Sequence, residues 1–85
     1  MNKFLITVII PIIEAEYDLF IPNNKKVGTI KTYILKSISF LTNNTYQKTI
    51  DEVKFINRLT NEEYDNDKFI KDTNIKNGTK LIILR

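Results

Sequence analysis

The chain has 85 residues, 42% of them apolar and 27% charged, with a formal net charge of +3. That is one domain at most, residues 1–85, with a small core and little stability to spare. It contains neither Cys nor His, which removes disulfides, thiolate chemistry and the commonest general base and metal ligand, and its interspersed charges argue against a one-sided cationic face for nucleic acid.

Met1-Asn2-Lys3 followed by the apolar run from Phe4 to Ile13 has the outline of a basic leader and a signal core. The run is too short to span a bilayer. It is rich in β-branched residues, is interrupted by Pro11, and reads instead as a strand over residues 4–10. Phe4, Ile6, Val8 and Ile10 share one face and Leu5, Thr7 and Ile9 the other, with Thr7 marking the even-numbered face as core. Pro11 cannot donate to a ladder and should end the strand. A second alternation follows, with Tyr17, Leu19 and Ile21 inward and Glu16, Asp18 and Phe20 outward. Pro22-Asn23-Asn24 stops it and offers a helix start.

Over residues 25–41 the period changes to three and four, placing Val27, Ile30, Ile34, Ile38 and Leu41 on one stripe of a helix. Lys25, Thr29, Thr32 and Lys36 lie opposite. Gly28 and the β-branched content give poor intrinsic propensity, so this helix depends on burial. After a polar connection from Thr42 to Glu52, residues 53–57 predict a strand with Val53 and Phe55 inward. A turn at Thr60-Asn61-Glu62 leads to a short strand near Tyr64, and Asp67 is placed to cap a helical turn through Phe69 and Ile70. Asn77-Gly78 reverses the chain into a last strand over 79–84, with Leu81 and Ile83 inward.

The order β-β-α-β-(β)-β describes an α+β fold with a mixed four- or five-stranded sheet and one main helix on one face. A hairpin, a covering helix and a final strand returning beside the first make the β-grasp, or ubiquitin-like, arrangement. A generic α+β meander is the alternative.

The closing Asp72-Thr73-Asn74-Ile75 and Leu81-Ile82-Ile83-Leu84-Arg85 resemble the end of ubiquitin. The run stops at Arg85 without Gly-Gly, so conjugation or thiocarboxylate chemistry through the C-terminus is not expected. A closer resemblance is to the YukD/EsaB ubiquitin-like proteins of Gram-positive type VII (ESX/Ess-type) secretion. Tyr17-Asp18-Leu19-Phe20-Ile21-Pro22 is similar to that family's Tyr-Asp-Leu-x-Val-Pro segment, and Val27, Ile30 and Ile34 continue with its helix spacing. Asp72, Ile75, Asn77, Gly78 and Leu81 resemble its ending, whereas residues 57–68 are longer than its pattern. The resemblance implies a small cytoplasmic accessory or regulatory protein that acts by contact with a membrane-bound secretion machinery, without inserting into the membrane.

No constellation supports an enzyme or a cofactor. Glu62-Glu63-Tyr64-Asp65-Asn66-Asp67 lacks the Gly and the ligand spacing of a calcium loop. Ser37 and Ser39 lack a His partner. The alternative function is a small nucleic-acid-binding regulator using Lys25, Lys26, Lys31 and Lys36. The unexplained feature is apolar: Leu5, Ile9, Phe20, Ile56, Ile82 and Leu84 all fall on the sheet face away from the helix. Large exposed apolar patches mark interaction sites, so these six residues are the expected contact surface for a protein partner or a second copy of the chain. Ubiquitin uses the equivalent surface to meet partners.

Overall fold

Two alternating apolar segments separated by a proline build a hairpin. In the computed structural model, which describes residues 3–85, β1 (Lys3–Ile10) and β2 (Ala15–Pro22) pair antiparallel. Pro11 opens a single 3-10 turn, and Glu14, at φ 52°, closes it by donating its N–H to the Pro11 carbonyl at 3.0 Å. Ile6, Val8 and Ile10 are buried, as the alternation predicts.

The helix α1 spans Val27–Leu41, starting two residues later than its periodicity suggests. No side chain caps its first turn. The Val27 and Gly28 N–H groups donate instead to the carbonyls of Lys68 and Asn66, at 2.8 and 3.0 Å. A Cβ on residue 28 would stand 3.2 Å from the Asn66 Cβ, so glycine permits this approach. The same segment continues alongside the helix entry: Ile70 donates to the Lys25 carbonyl and Lys71 to the Asn23 carbonyl. One expectation is corrected here. Asp67 does not cap the short 3-10 turn at Ile70–Asp72, which has no side-chain cap; its N–H is held by Asp65 Oδ1 instead. The helix entry is satisfied by backbone carbonyls, a partner that local sequence does not show.

Val27, Ile30, Ile34 and Ile38 are buried as predicted, but Leu41 is 47% exposed, and Leu35 (3%) joins the core in its place. At about 100° per residue Leu35 points sideways from Ile34. The connection after the helix runs along that flank, where residues 47–50 and Leu35 line one groove. Asn43 and Asn44, at φ 52° and 64°, turn the chain back and bring Tyr46 into the core.

β3 (Lys54–Asn57) buries Phe55 and, unexpectedly, the amide of Asn57. β4 (Lys80–Leu84) lies between β1 and β3, parallel to the first and antiparallel to the second. The sheet order is β2-β1-β4-β3. The strand expected near Tyr64 does not form, so the sheet has four strands. Asn57 folds the chain back on itself: its Oδ1 accepts the N–H groups of Leu59 and Thr60, and its own N–H donates to the Glu62 carbonyl. With these groups committed to a turn, residues 61–65 are left without a strand partner. Tyr64 packs against the core, and its hydroxyl accepts from Asn57 Nδ2 and donates to Asn74 Oδ1.

Gly78 adopts φ 86°, as a reversal before β4 requires. Its N–H donates to the Leu5 carbonyl, while Asn77 Oδ1 accepts the Leu5 N–H at 2.7 Å. This pair of bonds ties the turn to the start of β1 and sets the parallel register Thr7–Lys80, Val8–Leu81 and Ile9–Ile82.

Candidate functional site

Strand alternation puts the six sequence-selected residues on the sheet face opposite α1, and the register decides which of them meet. Ile9, Ile82 and Ile56 stand level with one another across β1, β4 and β3, making one apolar row. All three are half-buried. Leu84 lies two residues along β4, opposite Lys54. Leu5 faces Phe20 across β1 and β2, and Phe20 is 61% exposed. Between these two groups lies a polar row, Asp18–Thr7–Lys80, in which the Thr7 hydroxyl donates to Asp18 Oδ1 at 2.8 Å. The face therefore carries two apolar groups divided by a charged stripe. Its margins differ in sign: Glu16 and Asp18 lie along the edge strand β2 and Lys54 along the opposite edge, β3.

The four lysines of the nucleic-acid alternative are not equivalent. Lys31 is turned inward along α1: Nζ donates to Asn66 Oδ1 at 2.8 Å and stands 5.6 Å from the centre of the Phe55 ring. Burial lowers its pKa below the ordinary value, and the nearby Glu63 and Asp65 carboxylates oppose that shift. A lysine already engaged in this way is poorly placed to neutralise a phosphate, which leaves Lys25, Lys26 and Lys36.

The acidic run works as turn chemistry. Asp65 holds the Asp67 N–H, and Glu62 Oε1 accepts from Asn74 Nδ2 at 2.7 Å. Ser37 and Ser39 bond within the helix end, to the Tyr33 carbonyl and to Asn44. Among the described residues no group of three acidic side chains could hold a metal ion, and no helix is long and apolar enough to cross a membrane.

Sequence reasoning missed Asn57 and Tyr46. Asn57 carried a signal, because it shares the inward parity of Val53 and Phe55, and an inward amide needs partners. Tyr46 carried none, lying in a polar segment without periodicity.

No protein-family model matches this chain, and no curated protein matches it. Solved structures do. The chain is similar to the ubiquitin-like domain of the Mycobacterium tuberculosis type VII secretion protein EccD1, at 14% identity and a TM-score of 0.71, with 100% of each chain covered. It is similar to a chain of the MycP5-free ESX-5 inner membrane complex, at 9% identity and a TM-score of 0.75; the match covers 98% of this chain and 21% of that one. It also resembles Caldiarchaeum subterraneum ubiquitin, at 10% identity and a TM-score of 0.69, over 98% of this chain and 94% of that one. At these identities the likeness establishes the fold. The chain is a ubiquitin-like β-grasp domain, and its structural neighbours include the ubiquitin-like domain of a type VII secretion protein.

Proposed function

We propose that this chain is a protein-interaction module serving a type VII secretion system as an accessory or regulatory component, in the manner of the YukD/EsaB proteins of Gram-positive bacteria. It acts at the cytoplasmic side of the membrane-bound machinery. The observation that carries this reading is the outer sheet face, where the Ile9–Ile82–Ile56 row remains partly open to water in a domain whose other sheet face is closed by α1. Isoleucines in a level row on rigid strands present a fixed apolar surface, and few side chains need ordering when a partner lands on it. The likeness to the ubiquitin-like domain of EccD1 and to a chain of the ESX-5 inner membrane complex supports the choice of partner. Fold likeness alone would leave the role open.

The test uses neighbouring residues of opposite orientation. Ile82→Asp places a carboxylate on the outer face, so the domain stays folded by circular dichroism. A photo-reactive residue at position 54 then loses its crosslink to a secretion-complex component in the native cell. Leu81→Asp buries an unpaired charge and unfolds the domain. An unfolded Ile82→Asp protein would show the face to be buried, and a folded one that keeps its crosslink would place function elsewhere.

A further inference from the structure

At the end of the sheet, beside β3 and β4, two tight turns enclose a groove of about 520 Å³. Arg58, Lys76 and Lys80 line it, with no carboxylate among the lining residues. Glu62 borders it without lining it: its backbone bonds to Asn57 and Thr60, and its carboxylate accepts from Asn74 Nδ2. Both walls are fixed. In the first turn Asn57 Oδ1 holds the N–H groups of Leu59 and Thr60 at 2.9 and 3.2 Å, and Asn61 donates to the Asn57 carbonyl at 2.8 Å. In the second, Lys76 and Thr79 bond to each other twice, and Gly78 is anchored on Leu5. Leu59, on the groove's rim, is 93% exposed, an apolar side chain on a backbone that hydrogen bonds hold in place.

We infer that this groove is a second binding site, adjoining the sheet face at Lys80, that takes an acidic peptide segment carrying an apolar side chain. Three cations without a lining carboxylate give the groove one sign of charge, which selects an anionic partner and speeds its arrival. Arg58 can hold a carboxylate bidentately. Leu59 offers contact to an apolar residue next to the acidic ones. Nucleic acid shares the negative charge, but single strands are held largely by stacking on aromatic rings, and no aromatic residue lines this groove.

The experiment measures fluorescence anisotropy of a short labelled peptide of alternating Glu and Leu, titrated with the full chain. Labelled Glu/Ser peptide and oligo-dT of matched length are the comparisons. The Glu/Leu peptide should bind saturably. Arg58→Glu combined with Lys76→Glu should weaken it at least about tenfold, the scale of one lost charge-assisted bond, and Arg58→Gln should give a smaller loss in the same direction. Leu59→Ser should remove the preference for Glu/Leu over Glu/Ser. Lys25→Glu combined with Lys26→Glu, an equal charge change at the helix entry, and Ile82→Asp, on the sheet face, should leave binding within about twofold, below the energy of a single polar contact. Absence of saturable binding overturns the inference. So does an equal loss in the Lys25→Glu and Lys26→Glu double variant, or no effect of Leu59→Ser. Tighter binding of oligo-dT through Arg58 and Lys76 would reassign the groove to nucleic acid.

Discussion

Leu35 and Leu41 lie on the same helix, carry the same side chain and differ in exposure, 3% against 47%. They separate burial by the sheet from burial by the connection that follows α1. Buried Leu→Ala substitutions cost about 2–5 kcal/mol, combining lost transfer energy with the cavity left behind. Leu35 packs beside a loop that can close in part, so Leu35→Ala should fall in the lower half of that range, about 2–3 kcal/mol. Leu41 is already half in water and truncating it encloses no cavity. Full burial of such a side chain is worth about 1.5–3 kcal/mol, so half of it is near 1 kcal/mol, and alanine's better helix propensity offsets a few tenths. A chain of this size has a urea m-value of about 1–1.5 kcal/mol/M. Followed by far-UV circular dichroism, the urea midpoint should fall by about 2 M for Leu35→Ala and by less than about 1 M for Leu41→Ala. A domain holding about 4–12 kcal/mol in total stays folded in both variants at zero urea. Equal midpoints, or a larger drop for Leu41→Ala, would refute the closing of this helix flank by residues 46–53.

Two further outcomes follow from the turns. Asn57→Ala leaves the Leu59 and Thr60 N–H groups without their acceptor and removes a donor from the Tyr64 hydroxyl. It should cost about 1–3 kcal/mol and speed amide exchange at Leu59 and Thr60; unchanged protection there would show the turn to be held by other bonds. The Glu52 carboxylate accepts first the N–H and then the hydroxyl of Thr49, which holds its pKa below the ordinary 4.5. A lowered folded-state value means that this contribution is present above pH 4.5 and is lost as pH falls through the folded value. In a carboxyl-carbon NMR titration, Thr49→Ala should move the Glu52 midpoint part of the way back up, since the backbone bond survives; an unmoved midpoint would exclude the hydroxyl as a cause.

The parts of this protein that its sequence determined are those in which one periodicity reports one core. Period two marked β1, β2 and β4 and sorted their faces, and period 3.6 marked α1, because covalent geometry alone fixes which side chains share a face. The outward set Leu5, Ile9, Phe20, Ile56, Ile82 and Leu84 was legible for the same reason. Which of them touch was not. Strand order and register join Ile9, Ile82 and Ile56, and they separate Leu5 and Phe20 behind Asp18, Thr7 and Lys80. The carbonyls of Asn66 and Lys68 took up the first N–H groups of α1, no strand followed the turn that Asn57 holds, and the loop from Tyr46 buried Leu35. Each of these depends on segments brought together across the fold. A backbone donor takes whichever acceptor the packed chain delivers, and an apolar side chain is buried by whatever lies beside it, so neither can be read from its own neighbours in sequence.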